Sequence, residues 1–483
     1  MRLRVILGFV VVALVASACG SAGVLNPTAQ EAAGGAAQTS QATPRAGEYL
    51  VMFRTPNTLP AGAEQMIQRA GGAVERLLPQ IGVAIARSDR SDFAEALRRE
   101  STVQRVAQDL EVQWIPSRIE TWVAEERPGQ SSVTHPTGAF FFPQQWNLRA
   151  IQAPEAWAAG HLGSPGVAVA VLDTGIDYTH LDLAGRVDLN RSKSFVPTDP
   201  VPAGAHEVAD LHFHGTHVAG IIACNAVGTA CVAPNATLIG VKVLNLEGRG
   251  TFAAVISGIV HAADVGADVI NMSLGARFPR SCVFEDEEGN RVNEQPACAT
   301  LIAALNRATN YAHSKGVLVI SSAGNSATNA DRNRDIIIVP AQSSNVVGVS
   351  ATGPVNQENF DAMAFYTDYG FSLVDVAAPG GGGTPPPISN VLDAVISPCS
   401  SFSLLPGLAL CRTSPPRYVR ARGTSMAAPH AAGVAALIDS LAGGGMNGAQ
   451  LRSRLQQSAD DLGRVGRDEF YGMGRVNAFR ATQ

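Results

Sequence analysis

The sequence predicts a large α/β domain with a parallel central sheet, preceded by a small α+β unit. From about residue 140 to the C-terminus, short apolar runs alternate with helical patterns, and these runs carry few charged side chains. Strands that are apolar on both faces need helices above and below them, as in a parallel sheet. Between residues 49 and 114, six elements follow in the order β-α-β-β-α-β, which is a ferredoxin-like arrangement.

Composition limits the classes of function. The 483 residues include 36 Lys and Arg against 41 Asp and Glu, and only 16% are charged. There is no basic surplus to neutralise phosphates, so nucleic acid is not expected as a partner. The hydrophobic share of 46% is enough for a sizeable core and excludes a polyelectrolyte disordered chain.

The first 18 residues are typical of a secretory signal peptide. Arg2 and Arg4 precede an apolar run over residues 5–18, which is too short to span a membrane. No later run reaches the roughly 18 apolar residues of a membrane-spanning helix. The chain is therefore predicted to be exported, with oxidised cysteines.

Two processing routes fit the end of this signal. Cleavage after Ala18 at a small-x-small site would give a secreted protein. Alternatively, the segment ending in Cys19 resembles a bacterial lipobox, although Ala16 stands where Leu is usual. We favour lipidation of Cys19, because a cysteine at a cleavage point is otherwise unexplained. Attachment to the cell envelope is expected only through this lipid.

The remaining chain divides into four parts. Residues 19–47 are rich in Ala, Gly, Gln, Ser and Thr and predict a flexible tether. Residues 48–115 form the small unit. Residues 116–138 lack periodicity, contain Pro and Gly turn signals, and predict an exposed linker. Residues 139–483 form the large domain.

Three separated motifs carry the residue types of nucleophilic catalysis. Asp173 ends a predicted strand, whereas His214 and Ser425 each begin a predicted helix. A serine hydroxyl needs an adjacent base, and the base needs a carboxylate that fixes its tautomer. The amides at a helix N-terminus also favour negative charge that develops beside Ser425.

These motifs, in the order Asp-Thr-Gly, His-Gly-Thr-His and Gly-Thr-Ser-Met-Ala-Ala-Pro, resemble the subtilisin-like serine peptidases, or subtilase family. The resemblance spans about residues 140–480. It implies that Asp173 orients His214 and that His214 activates Ser425 to attack protein or peptide substrates. The family is known for an acyl-enzyme mechanism, so a serine endopeptidase is expected.

The resemblance extends to the segments that bind substrate. Asn325, in Ser-Ala-Gly-Asn, resembles the family's oxyanion-binding residue. Ser273, Leu274 and Gly275 resemble the edge strand that pairs with the substrate backbone. Ile338 is implied to line the primary pocket and to restrict it to modest apolar side chains.

In this family a ferredoxin-like propeptide commonly precedes the catalytic domain. The resemblance implies that residues 48–115 assist folding and then occupy the cleft as an intramolecular inhibitor. A large sheet with many non-local contacts folds slowly, and a propeptide that acts as a template for its surface would speed its folding. The alternative is an ordinary small binding domain. Self-cleavage is predicted between Ile115 and Phe141, and the enzyme is expected to be a monomer.

Six cysteines remain besides Cys19 and admit many pairings. Sequential pairing is favoured because each neighbouring pair brackets one loop: Cys224 with Cys231, Cys282 with Cys298, and Cys399 with Cys411. Asp182 matches a calcium ligand of the family, yet residues 225–230 carry no carboxylate. We therefore expect the first disulfide to replace that calcium site. No cofactor is expected to be required, and calcium elsewhere stays open as a structural ion.

Three alternatives remain. Asp210, His212, His214 and His217 are close in sequence and could bind zinc, but no His-Glu-x-x-His motif appears, so no metal is assigned. A catalytically silent binding protein could share the fold, although none of the chemical residues is missing. The acidic run over residues 285–288 is either a solvated loop or a surface that favours basic substrates.

Overall fold

A computed structural model describes residues 40–117, 119–124, 135–285, 291–293, 295–382, 385 and 390–483. The predicted signal peptide, Cys19, most of the predicted tether and most of the acidic run lie outside these residues. Within the described ranges, no helix combines the length and apolarity needed to cross a membrane.

Helices and strands alternate along most of the described chain. The α-helices are α1 (Ala63–Arg69), α2 (Phe93–Arg98), α3 (Trp146–Ala150), α4 (Ala153–Ala158), α5 (His214–Ile222), α6 (Phe252–Asp264), α7 (Gln295–Ser314), α8 (Thr424–Leu441), α9 (Gly448–Gln457) and α10 (Ala478–Ala481). The strands are β1 (Ala42–Phe53), β2 (Ala73–Leu78), β3 (Val83–Arg87), β4 (Val103–Gln113), β5 (Thr121–Val123), β6 (Ala168–Asp173), β7 (Lys193–Ser194), β8 (Thr237–Lys242), β9 (Arg249–Thr251), β10 (Val269–Met272), β11 (Ala276–Pro279), β12 (Val283–Glu285), β13 (Arg291–Asn293), β14 (Leu318–Ser322), β15 (Ile336–Val339), β16 (Val346–Thr352), β17 (Val376–Pro379), β18 (Val395–Pro398) and β19 (Tyr418–Ala421).

The large sheet confirms the predicted α/β class. Its seven strands follow the order β17-β16-β14-β10-β6-β8-β7, and neighbouring strands are parallel. Alternate residues of β6 point to opposite faces, so Val169 and Val171 pack with α5 and α8. Ala170 and Leu172 pack with α6 and α7 on the other face. Burial on both faces explains why each strand reads as a continuous apolar run.

The small N-terminal sheet has the antiparallel order β2-β3-β1-β4 that the element order predicts. The predicted tether is wrong at its C-terminal end, because β1 begins at Ala42 rather than after residue 47. The first residues of β1 pair with the end of β4 through Ala42 and Val112. Backbone pairing orders this segment, and composition carries no signal for it.

Both faces of the small sheet are buried. Val51 and Phe53 pack against α1 and α2, which gives the unit its own core. Leu50 and Met52 point the other way and share a core with α6 and α7 of the large domain. At its edge, β4 also pairs with β9, which extends this sheet to five strands. The small unit is therefore docked through apolar burial and through backbone pairing.

Part of the predicted linker is also wrong. Residues 121–123 form β5, which pairs with β19 of the antiparallel hairpin made by β18 and β19. The partner strand lies about 300 residues away in the chain, so no local pattern announces this pairing. Residues 125–134 of the predicted linker lie outside the described residues.

One arginine links the two parts through polar contacts. Arg307 of α7 donates from Nη1 to the carbonyl oxygen of Ile81 at 3.0 Å and from Nη2 to that of Phe53 at 3.0 Å. Its Nη2 also donates to Gln104 Oε1 at 2.6 Å. A charged guanidinium that donates to the end of β1 and to the turn before β3 fixes the orientation of the small sheet on α7.

Candidate active site

Two of the predicted residues meet at the carboxyl edge of the large sheet. Asp173 is the last residue of β6, and His214 is the first residue of α5. Helix α5 begins directly against this strand end because Gly215 has no side chain. A Cβ at position 215 would overlap the carbonyl oxygen of Gly175 and approach Asp173 Cβ to 3.1 Å.

Asp173 and His214 form a buried hydrogen bond. His214 Nδ1 lies 2.8 Å from Asp173 Oδ1, and that oxygen also accepts from the amide of Thr174 at 2.8 Å. The exposed fractions of the two side chains are 0% for Asp173 and 1% for His214. With Nδ1 bound to the carboxylate, Nε2 is the nitrogen left to take up a proton, and it has no partner among the described residues.

Ser425 is the second residue of α8 and lines the same cavity as His214 and Asn325. Its Oγ donates to the carbonyl oxygen of Ser273 at 3.1 Å, not to His214. The structure thus brings His214 and Ser425 to one cavity, with Asp173 buried behind His214, and only the Asp173–His214 hydrogen bond is formed. Rotation about one side-chain bond of Ser425 redirects its hydroxyl.

The amide of Asn325 is oriented by a residue that the sequence analysis did not single out. Asn325 Oδ1 accepts from the backbone amide of Thr424 at 2.9 Å and from its hydroxyl at 2.8 Å. Because the oxygen is held in this way, the amide NH₂ is left to donate into the cavity. Thr424 stands directly before Ser425 in the motif, which was the available signal.

The predicted substrate strand already pairs with the end of the small unit. The amide of Gly275 donates to the carbonyl oxygen of Trp114 at 2.9 Å. On the other side, the amide of Trp114 donates to the carbonyl oxygen of Gly248 at 3.2 Å. Leu274 is buried, and Ser273 is tied to α8, since its Oγ donates to the carbonyl oxygen of Ser425 at 2.8 Å.

The chain then passes through the cavity. Pro116, Ile119 and Glu120 line a cavity of about 290 Å³ together with His214 and Ser425. Beyond it, β5 pairs with β19, with Thr121 opposite Ala421. The described residues between Trp114 and Thr121 therefore contribute part of the wall of the cavity that His214 and Ser425 line.

The other titratable residues of these motifs have structural partners. Burial lowers the pKa of His217 to about 3, and its Nε2 lies within 3.2 Å of the carbonyl oxygens of Val395 and Val419. Burial lowers the pKa of His430 to about 4, and its Nε2 lies 2.8 Å from Asn147 Nδ2. Both rings are neutral and packed, away from the chemistry.

The zinc alternative finds no support. Asp210 accepts from the hydroxyls of Thr174 and Thr216, at 2.8 and 2.6 Å, and from the amide of His212. Its carboxylate therefore faces donors instead of the neighbouring imidazoles. In the described part of the chain, no group of three or more His, Cys, Asp or Glu side chains could hold a metal ion.

The three disulfides have the pairing favoured by the loops. The Cα atoms are 5.8 Å apart in Cys224–Cys231, 5.8 Å in Cys282–Cys298 and 5.7 Å in Cys399–Cys411. Each closes one loop of the large domain.

The first of these loops wraps around Asp182. The fully buried carboxylate accepts from the amides of Val227 at 2.6 Å, Gly228 at 3.1 Å and Thr229 at 2.9 Å. It also accepts from the hydroxyl of Tyr418 at 2.9 Å. Both oxygens face hydrogen-bond donors, whereas Ca²⁺ needs a cage of oxygen acceptors. The residues around Asp182 therefore do not fit a calcium ion.

Known proteins share this fold and these motifs. A model of the subtilase family matches residues 164–474. Thermitase from Thermoactinomyces vulgaris is 34% identical over 351 residues, which cover 72% of this chain and 99% of thermitase. Subtilisin BL from Lederbergia lenta is 36% identical over 340 residues, 70% of this chain and 98% of its own. An epidermin leader peptide processing serine protease from Staphylococcus aureus matches in structure with a TM-score of 0.68 and 20% identity, covering 90% of this chain and 97% of that one.

These relatives define the class of protein as a serine endopeptidase. The chain belongs to the subtilase family, which confirms the resemblance seen in its motifs. The structural match at 20% identity adds the fold alone, and it spans more of the chain than the large domain.

We predict that Asp182→Ala destabilises the enzyme equally in calcium and in a chelator. Removing the carboxylate leaves several buried amides without an acceptor, at a cost of about 3 kcal/mol. Thermal unfolding should show the same drop in Tm under both conditions. A drop that appears in calcium and vanishes in the chelator would identify Asp182 as a calcium ligand instead.

Proposed function

We propose that this protein is an exported endopeptidase, made as a precursor, with Asp173, His214 and Ser425 as its catalytic residues. One observation carries the proposal: His214, which is hydrogen-bonded to the buried Asp173, lines a single cavity with Ser425 and Asn325, and Pro116, Ile119 and Glu120 line it too. A carboxylate, an imidazole, a hydroxyl and an amide donor placed together beside a peptide chain are the groups that a serine peptidase uses.

In the proposed mechanism, Ser425 Oγ turns from Ser273 and gives its proton to His214 Nε2 as it attacks the carbonyl carbon. Asp173 stabilises the imidazolium through the Nδ1 hydrogen bond. The NH₂ of Asn325 and the amide of Ser425 stabilise the oxyanion of the tetrahedral intermediate. The intermediate collapses to an acyl-enzyme as His214 protonates the leaving amine, and water then hydrolyses the ester.

We assign residues 48–115 to an inhibitory propeptide that the enzyme removes itself. The chain is paired with Gly275 at Trp114 and with Ala421 at Thr121, on the two sides of Ser425. A scissile bond within this interval lies between Ile115 and Thr121, inside the wider range that the sequence predicts. After cleavage, the apolar face around Leu50 and Met52 would keep the propeptide docked.

The proposed compartment is outside the cytoplasm. Three disulfides, one per loop, support an oxidising environment. A lipid on Cys19 would anchor the propeptide, so a cut after Ile115 would free the catalytic domain from the membrane unless the two stay associated. Ile338 is 2% exposed and packs with Ala323 and Ala341, and its place in the primary pocket stays a prediction.

Ser425→Ala should leave the precursor uncut, because the nucleophile of the proposed self-cleavage is removed. Intact mass and N-terminal sequencing of the wild type should show a new N-terminus between residues 116 and 121. The same measurements on the variant should show an unbroken chain after signal removal. Trimming of the variant at the same bond would refute self-processing. The peptidase function would then be tested separately, by inhibition of the wild-type enzyme with an organophosphate.

Asn325→Ala should lower kcat by about 10²–10³-fold with little change in KM. That is the range measured when one oxyanion-hole donor is removed from subtilisin itself, because such a donor acts mainly in the transition state. The control is Ser326→Ala at the exposed neighbouring position. A chromogenic peptide assay distinguishes the two, and equal rates for both variants would exclude Asn325 from this role.

Asp109 of β4 makes the docking of the propeptide sensitive to pH. Its carboxylate accepts from the amide of Ala253 at 3.3 Å, in the first turn of α6. It is 1% exposed, and Arg45 and Glu48 are the nearby charges. Burial raises the pKa of the Asp109 carboxyl to about 7, although hydrogen bonds from Thr251 and from backbone amides oppose this shift.

We predict that the cleaved propeptide dissociates more readily as the pH rises. In the docked state the pKa is about 7, whereas a free Asp titrates near pH 4, so docking takes up a proton. This contribution is complete below about pH 4 and is lost as the pH rises through about 7. Gel filtration of the processed protein should show propeptide retained at pH 5 and released at pH 8. Asp109→Asn, which stays neutral, should flatten this pH dependence, and an unchanged profile would contradict the assignment.

A further inference from the structure

A buried arginine stands directly before the motif that contains Ser425. The side chain of Arg422 is 5% exposed, and its Nη2 lies 2.6 Å from Oε2 of Glu120. Its Nη1 donates to the carbonyl oxygen of Gly382 at 3.2 Å. The guanidinium also lies over the ring of Phe365, 4.9 Å from its centroid. These contacts hold the cation in one place at the wall of the cavity.

Arg422 and Glu120 continue the pairing of two strands. Thr121 is opposite Ala421 and Trp122 is opposite Arg420, so the next antiparallel pair outward is Glu120 with Arg422. Glu120 is the last residue of this segment that lines the cavity shared with Ser425. The ion pair therefore follows from the register of the backbone pairing, and a peptide that pairs with β19 in the same register places its corresponding side chain against Arg422.

The position of Glu120 relative to the scissile bond follows from the direction of the chain. Trp114, which pairs with Gly275, lies on the N-terminal side of Ser425, and β5 lies on the C-terminal side. Glu120 precedes β5 directly, so a cut at any bond between Ile115 and Glu120 leaves it on the leaving-group side. The chain in the cavity is a covalently attached example of what the cleft accepts on that side.

We propose that Arg422 is a specificity-determining residue that favours substrates with a carboxylate side chain on the leaving-group side of the cleaved bond. A guanidinium presents paired N–H donors that match a carboxylate, and the ring of Phe365 and the carbonyl of Gly382 orient it in advance. A Gln at this substrate position would lose the charge, and a Lys would repel Arg422. This inference rests on the proposed peptidase function and concerns its substrate class.

The test uses processed enzyme and three synthetic peptides that carry residues 112–124 of this chain. One peptide is unchanged, and the others carry Glu120→Gln and Glu120→Lys. Because the carboxylate is partly exposed at 40%, we expect kcat/KM to fall about fivefold for the Gln peptide and further for the Lys peptide. This comparison needs no enzyme variant, so it holds even where a variant fails to fold.

Variants of the enzyme then assign the preference to Arg422. In Arg422→Gln the ratio of kcat/KM for the unchanged and Gln peptides should approach one. In Arg422→Glu the order should reverse, with the Lys peptide cleaved fastest. Arg332→Gln, at an exposed position remote from the cavity, should keep the wild-type ratio.

The outcomes separate the two proposals. Wild-type enzyme that cleaves all three peptides at equal rates overturns the role of Arg422 and leaves the peptidase function intact. A preference for Glu that survives in Arg422→Gln also overturns it. An enzyme that cleaves none of the peptides, nor any chromogenic peptide, contradicts the proposed function itself.

Discussion

The buried hydrogen bond between Asp173 and His214 depends on a close approach of helix α5 to the carboxyl end of strand β6. Gly215 permits this approach, because any side chain there would overlap the turn that follows the strand. Two buried groups of this kind are costly to desolvate, so each must be matched by the other. The fold satisfies that requirement with a strand end on one side and a helix start on the other, and α8 then brings Ser425 to the same edge.

The N-terminal unit packs on the large domain through apolar burial and strand pairing. Its sheet is apolar on both faces, since one face packs on its own helices and the other packs on α6 and α7. Pairing of β4 with β9 leads the chain directly to Gly275, and pairing of β5 with β19 leads it away again. Main-chain pairing therefore holds the chain at Trp114 and again at Thr121. An extended peptide held in this way is also the form in which a subtilase would receive any substrate.

Many of the helices and strands could be predicted from the sequence, because apolar runs and short motifs are local features. Continuous apolar runs marked the strands of the parallel sheet, and β6 ends at Asp173 and α5 begins at His214, as the sequence predicts. Prediction failed where the pairing partner is distant. Ala42 to Gly47 and Thr121 to Val123 are ordered by strands elsewhere in the chain, and neither segment has a composition that distinguishes it from a loop.

The sequence alone determined the fold class and the family, and it predicted the catalytic residues, because short motifs and periodic apolar runs are local features of the chain. The tertiary structure decided how those residues are used. It gave Asp182 a shell of backbone donors in place of a cation, turned the hydroxyl of Ser425 toward Ser273, and set Glu120 against Arg422. Such contacts join residues tens to hundreds of positions apart. Packing selects them, so the order of the residues along the chain does not reveal them.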